Sequence, residues 1–297
     1  MGGFAGALRE TSARGTFYSR PMNQQASPES LHPRLRLGTS SWSSRDWESV
    51  FYPKGTAPGD YLAFYATRFR TVEVDATFYR IPSLAMTRKW AAALPAGFRL
   101  AAKVPQVVTH EKCMIDCGSD LDAFIQAMTP LGEKLGPLLL QFPYHRKASP
   151  ITESEFLARL ERFLPALPSG PRFALEIRNK TWLRAPLLDL LRAHGVALAI
   201  IDHPWMPRAA EWIETIDPVT ADFAYVRWLG DRHKIEAITT TWDRLVVDRA
   251  RETGAWVGTL RALLSRGIDV YGYFNNHWGG YAVGSIELLA KSWRNKA

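Results

Sequence analysis

Two cysteines, Cys113 and Cys117, are all that this 297-residue chain contains, too few for a disulfide framework; the plain reading is a pair of reduced thiols. No stretch reaches 18 uninterrupted apolar residues, so no membrane-spanning helix is predicted. No Gly-x-Gly-x-x-Gly follows the first strand-like segment, which ends LGTSSW, and no Walker loop or His-Glu-x-x-His spacing is present. A Ser-His-Asp or Cys-His signature is likewise not recognisable. These absences remove the dinucleotide fingerprint, the phosphate-binding P-loop and the zinc-protease helix from consideration. The start, MGGFAGALRE, lacks the basic-then-apolar layout of a secretory signal, and Gly6 stands where a myristoylation pattern needs Ser or Thr. A cytoplasmic location and no membrane partner are expected. An organelle transit segment is the alternative reading of the Arg-rich, acid-poor leader.

Acidic residues are also scarce relative to basic ones, 29 against 37, which leaves a net charge of +8. That excess invites a nucleic-acid or anion-binding reading. The remaining composition, 46% hydrophobic and 22% charged, is that of an ordinary globular protein and excludes a disordered or collagen-like chain. Residues 1–34 show no sustained apolar period and are read as a flexible tail. Residues 291–297 are read as a basic stub and 35–290 as one domain.

Within that domain eight short apolar runs recur: LRLGT (35–39), TVEVD (71–75), FRLAAK (98–103), PLLLQF (137–142), RFALEI (172–177), VALAII (196–201), FAYVRW (223–228) and IDVYGYF (268–274). Each has strand length and strand composition. Amphipathic segments lie between them, starting near Pro58, Ser83, Ser119, Thr152, Thr181, Pro204, Trp242 and Val283. Ser83, Ser119–Asp120, Thr152 with Glu155, and Thr181 read as helix starts, and Gly195 and Gly267 as helix ends. Strict alternation of strand and helix predicts a parallel sheet, and eight such units predict a single-domain α/β fold of the (β/α)8 TIM-type barrel class. An open doubly wound sheet is the alternative.

A strand covered on both faces should stay apolar to its end. Here the last positions turn polar: Thr39, Glu73 and Asp75, Lys103, Gln141, Glu176 and Arg178, Asp202, Arg227, then Asn275 and Asn276. In a barrel these ends converge on one mouth, where active sites of the fold lie. Period-two alternation places Ala174, Glu176 and Arg178 on one face and Phe173, Leu175 and Ile177 on the other. Glu73 and Asp75 are predicted to point inward and Val72 and Val74 outward. Buried charges must pair or hold a ligand, so these residues form either a self-satisfied salt-bridge network or a pocket for a polar, anionic ligand.

The stretches that carry these residues, GTSSWSSRDWESVFYP (38–53), FRTVEVDATFYRIP (69–82), FRLAAKVPQVVTH (98–110), LGPLLLQFP (135–143), ALEIRNKTW (174–182), YVRWLG (225–230) and YGYFNNHWGGYAVGSIELL (271–289), resemble one family, domain of unknown function 72. The resemblance covers roughly residues 35–290 and implies a TIM-type barrel; it supplies no activity. The chain departs from the family pattern at Asp75–Ala76, where Asn–Ser is usual, at Ser41, where Gly is more frequent, and at Gly284–Ser285, where the family usually carries Asn.

Four chemistries are open to such a mouth. Glu73 and Glu176 form a candidate carboxylate pair, and either could work with Lys103 as base and electrophile. Lys103 in a plain salt bridge to Glu73 or Glu176 is the structural alternative. His110, His145, His203, His233 and His277 follow strands and, with Glu73, Glu176 and Asp202, could gather a metal; Lys103, Arg178 and Arg227 would repel the cation. Asn275, Asn276 and the glycines at 279, 280 and 284 read as an anion-binding turn at a helix start, or as Asn caps of a Gly-rich turn. Trp42, Trp47, Phe51, Tyr52, Phe78, Tyr79, Trp205, Trp228 and Trp278 either stack on a ligand or seal loops onto the barrel.

The expected function is therefore an enzyme, of hydrolase or lyase type, acting on a small or oligomeric anionic substrate, phosphorylated or nucleotide-like. Glu73, Lys103 and Glu176 are the candidate catalytic residues. Thr39, Trp42, Asp75, Tyr79, His110, Gln141, Arg178, Asp202, Arg227, Asn275 and Asn276 are the candidate substrate or anion ligands. No cofactor is expected, a divalent metal being the weaker reading. The alternatives are a non-catalytic nucleic-acid or ligand-binding module and a metal-dependent phosphodiesterase or nuclease. Setting aside 1–34 and Lys291, Arg294 and Lys296 leaves residues 35–290 at only +3, all of it at the mouth. That favours a local anion site over broad coating of nucleic acid.

Overall fold

The computed structural model describes residues 31–295. Its strands are β1 (Leu35–Thr39), β2 (Thr71–Val74), β3 (Arg99–Lys103), β4 (Leu135–Gln141), β5 (Phe173–Glu176), β6 (Ala197–Asp202), β7 (Phe223–Trp228) and β8 (Asp269–Phe274). All ladders are parallel, in the order β1-β8-β7-β6-β5-β4-β3-β2, so the sheet curls into a nearly closed barrel. Around it lie α1 (Tyr61–Tyr65), α2 (Ala76–Tyr79), α3 (Leu84–Ala93), α4 (Gly118–Met128), α5 (Glu153–Phe163), α6 (Ala185–Ala193), α7 (Ala209–Glu211), α8 (Arg232–Glu236), α9 (Ala250–Ser265) and α10 (Ala282–Asn295).

Most strand and helix signals are realised locally. The hydroxyls of Ser83 and Thr152 accept the amides of Met86 and Glu155, capping α3 and α5. Gly195 and Gly267, at φ of 62° and 76°, end α6 and α9 in the left-handed conformation that a side chain would strain. Other boundaries move. The residue before α4 is Cys117, not Ser119–Asp120, and α6 starts after Arg184, since Thr181 falls in a separate short turn, Lys180–Trp182. The segment near Pro204 holds only α7 and a π-type turn, Trp212–Ile216, fenced by Pro204, Pro207 and Pro218. The helix expected from Trp242 begins at Ala250. Trp242 is instead tied by its amide to Asp46, at 3.0 Å.

The domain limits also shift. Residues 1–30 of the expected tail lie outside the described residues, but 31–34 join the fold. Leu31 packs on the core and the Arg34 carbonyl accepts the Val270 amide. At the other end α10 runs through Lys291 and Arg294 to Asn295 with Trp293 buried, so 290 is no structural boundary. Among the described residues, no helix is long and apolar enough to cross a membrane.

Between β1 and β2 the described residues form no ladder. The two strands instead touch at Gly38, where a Cβ would lie 2.2 Å from the Thr71 carbonyl oxygen. The α1 residue Tyr65 closes the seam. Its hydroxyl accepts the Thr39 amide at 2.9 Å and donates to the Thr71 carbonyl at 3.2 Å. Tyr65→Phe should therefore leave two buried backbone groups without partners and lower stability by about 1–3 kcal/mol. Urea denaturation of the two proteins tests this, and equal midpoints would refute it.

Candidate active site

Parity along the strands decides which polar ends reach the mouth. Glu73, Lys103, Gln141, Glu176 and Arg227 share the inward register: Gln141 pairs with Glu176, Lys103 with Leu139, and Glu73 with Ala101. Keeping Lys103 and Gln141 inward requires a bulge between β3 and β4, around Gly136–Pro137. Thr39 and Asp202 have the opposite parity and point to the helices, which corrects their expected place in the site. Thr39 is buried against Tyr65. Asp202 pairs with the outward Trp228, and its carboxylate accepts the Trp256 indole N–H of α9 at 2.5 Å. Burial pushes its pKa up.

At the floor of the mouth, Arg227 reaches across the barrel. Its Nε and Nη2 donate to Glu73 Oε1 at 3.2 and 2.7 Å, and its Nη1 donates to Glu176 Oε2 at 2.6 Å. The other Glu73 oxygen accepts Tyr225 Oη at 2.6 Å, and the other Glu176 oxygen accepts Arg178 Nε at 2.6 Å. Glu73, Glu176 and Arg227 are buried. Burial alone would raise the Glu176 pKa, but Arg178, Arg227 and Lys103 together hold it at about 2. Both oxygens of each glutamate are thus committed, and the self-satisfied network is realised at this level.

Above that floor the groups are open. Lys103 pairs with Asp75 at 2.9 Å, not with Glu73 or Glu176, and its side chain is 12% exposed. Asp75 itself leaves β2 and precedes α2, so its carboxylate comes from a loop rather than from the strand. Arg178, 21% exposed, commits only Nε to Glu176 among the described residues, leaving its terminal amino groups to the mouth. Three carboxylates, Glu73, Asp75 and Glu176, meet three cations, Lys103, Arg178 and Arg227. The inner mouth is therefore charge-balanced rather than basic.

Two histidines of the mouth loops feel the charge of Arg178. His110, in a π-type turn after β3, sits edge-on to Phe78 with ring centroids 4.9 Å apart, and Lys103 Nζ lies 5.6 Å from that same ring. Burial, then the Lys103 charge, with smaller contributions from His145 and Arg178, push the His110 pKa down to about 4. Burial, then Arg178, do the same to His203, after β6. Both imidazoles are neutral at pH 7. His203 is a functional candidate beyond the anion ligands expected from sequence, and the signal for it is its position in a loop that follows a strand.

The turn after β8 resolves into caps. Asn275 Oδ1 accepts the His277 amide at 3.0 Å and lies 2.6 Å from its Nδ1, while His277 Nε2 is 3.1 Å from Glu236. Asn276 Oδ1 accepts the Ala282 amide at the start of α10, at 2.9 Å. Both carbonyl oxygens therefore hold the turn together, and one of the helix-start amides an anion would use, that of Ala282, is taken by Asn276.

The aromatics separate into two groups. Trp47, Phe51, Tyr52 and Trp278 are buried and seal loops, and Trp228 is buried against Trp256 of α9. Trp42 stands edge-on to Trp90 of α3, centroids 5.6 Å apart. Tyr79 and Trp205 are exposed, 74% and 63%, and so is Tyr144, 50%, which the sequence reading had left out. Tyr144 and Trp205, from the β4 and β6 loops, lie 5.9 Å apart and make one open aromatic face. Among the described residues, no three His, Cys, Asp or Glu side chains group as metal ligands; His145, for example, stacks on Trp182 and is clamped by Asn179.

Eight parallel strands, their helices and a polar constellation at the C-terminal strand ends define a TIM-type barrel with a candidate site in the place where enzymes of this fold keep theirs. The family described as "Protein of unknown function DUF72" matches residues 36–297, and the chain belongs to it. Over 278 residues it is 27% identical to the UPF0759 protein YunF of Bacillus subtilis, an alignment that covers 86% of this chain and 94% of that protein. A DUF72 family protein of known structure from Thermotoga maritima superimposes with a TM-score of 0.68 at 26% identity, over 88% of this chain and 99% of that one. One from Enterococcus faecalis does so with a TM-score of 0.66 at 24% identity, covering 88% and 95%.

Proposed function

We propose that the protein is an enzyme whose barrel mouth binds a small anionic substrate, phosphorylated or nucleotide-like, and moves a proton on it. The observation that carries this reading is the free end of Arg178, in a mouth that also holds two imidazoles kept neutral by burial. A guanidinium with open N–H groups grips an oxyanion bidentately. A neutral imidazole beside it can accept a proton at pH 7, as a general base must. The Lys103–Asp75 pair, the accessible ion pair of the site, supplies the acid or polarising group, and Gln141 adds an amide. Glu73 and Glu176, proposed from sequence as reacting groups, serve here as positioning residues: they fix Arg227 and Arg178 and through them the floor.

The test is a screen of phosphorylated and carboxylated metabolites for saturable binding and turnover, followed by Arg178→Met, His203→Gln and Lys103→Met. Each variant is expected to lower kcat/KM by about 100-fold or more. Unchanged affinity in Arg178→Met would overturn the assignment.

The exposed face of Tyr144 and Trp205 favours a second reading, a non-catalytic module that stacks the bases of a single strand. It predicts binding without turnover whose log K falls steeply with log salt, whereas a pocket for a small ligand shows weak salt dependence.

A further inference from the structure

At the end of the barrel opposite the mouth lies a cavity of about 680 Å³. It is walled by the starts of β1, β3, β4 and β8 and by the residue before β5. Three arginines line it: Arg36 from β1, Arg99 from β3 and Arg172 just ahead of β5. By strand parity all three belong to the inward set: Arg36 pairs with Tyr271, Arg99 with Thr71, and Arg172 is two residues before Ala174. A cavity of this size accommodates a small organic molecule.

The charge there is not balanced as it is at the mouth. Asp269 and Glu133 are the carboxylates among the lining residues, two against three arginines, and Asp269 Oδ2 lies 3.5 Å from both Arg36 Nη1 and Arg172 Nη1. Both distances exceed those of well-formed charge-assisted hydrogen bonds. Arg36 Nη1 is buried and has no hydrogen-bond partner among the described residues. Arg36 lies over the Tyr271 ring at 5.4 Å, Arg172 over Phe223 at 5.3 Å, and Arg99 donates to the Phe98 carbonyl. Arg172 also bonds Asp222 at the solvent side, at 3.0 Å. Two guanidinium groups therefore share one carboxylate oxygen, a third stands on the same cavity, and a buried N–H remains unspent. A buried polar group of this kind is costly unless an acceptor meets it.

We infer that this basal cavity is a second anion site, distinct from the mouth, and that it takes the phosphoryl group of a small molecule. A phosphoryl dianion has three terminal acceptor oxygens and two negative charges to set against guanidinium groups approaching from different sides. A carboxylate offers two oxygens and one charge.

Inorganic pyrophosphate is the probe, titrated calorimetrically into the full-length chain, with citrate as the carboxylate comparison. Pyrophosphate is expected to bind, with Arg36→Gln/Arg172→Gln weakening it about tenfold or more and Arg178→Met leaving it in place. Asp269→Asn removes the competing carboxylate and is expected to tighten binding several-fold; because it keeps every arginine, it remains informative if the double variant folds poorly. Absence of pyrophosphate binding, its loss in Arg178→Met, preference for citrate, or weaker or unchanged binding in Asp269→Asn would each overturn the inference.

Discussion

Arg227→Met is expected to lower folding stability by about 3–5 kcal/mol, the usual cost of stranding buried charges. The guanidinium is 1% exposed and is shared by Glu73 and Glu176, both fully buried. Burial alone would favour loss of its proton, but Glu176, Glu73 and Asp75 outweigh that and keep it charged. Without it, Glu73 retains only the Tyr225 hydroxyl, and Glu176 only Arg178. A neutral arrangement of similar volume need not be unstable, so the triple variant Arg227→Met/Glu73→Gln/Glu176→Gln should recover much of the loss. Urea midpoints of the single and triple variants separate charge from packing. If Arg227→Met lost under 1 kcal/mol, or the triple variant were no better than the single one, the ionic account would be wrong.

Acidification should destabilise the protein in two overlapping stages. His110 and His203 have folded pKa values near 4, below the ordinary 6.5. Between those values the unfolded chain binds more protons than the folded one, so their contribution is fully present above pH 6.5 and is lost as pH falls to about 4. Glu176, held at about 2 against an ordinary 4.5, contributes above pH 4.5 and loses that contribution as pH falls through 2. For this fully buried carboxylate the loss is on the order of 3 kcal/mol. Urea melts from pH 8 to pH 2 should show both stages. His110→Asn/His203→Asn should shrink the upper stage, to which His145 and His277, also pushed down by burial, contribute, and Glu176→Gln should flatten the lower. Stability that stayed constant from pH 6.5 to 4.5 in the wild type would contradict the placement of the histidines.

The barrel was readable because its signal repeats: eight strand-length runs separated by amphipathic segments leave few topologies. Alternation was equally informative where it was applied. It placed Glu73 and Glu176 inward, and the structure agrees. The same rule would have turned Thr39 and Asp202 outward, because Leu35, Leu37, Leu198 and Ile200 share their faces. Partnerships were not readable. Lys103 meets Asp75 because the chain bends into α2 immediately after β2, and no local spacing announces that bend. Nor could the sequence separate the sealing aromatics from the open ones. Trp228 and Trp205 are chemically alike and differ only in whether a helix or solvent lies opposite. The segment near Pro204 holds only a short helix because prolines at 204, 207 and 218 fence it, and the helix expected from Trp242 starts late, at Ala250, with Trp242 tied to Asp46.

The missing ladder between β1 and β2 gives the barrel the mechanics of a clasped band rather than a hoop. Along one line its girth is held by the Tyr65 hydroxyl and the Gly38–Thr71 contact rather than by strand pairing, and β2 is the edge on that line. Glu73 lies on this edge strand, yet its partners Tyr225 and Arg227 belong to β7, far around the wall. The buried ion pair is thus an internal tie-rod. It spans the lumen, draws the loose edge toward the opposite side and sets the bore of the mouth into which Lys103 and Arg178 project.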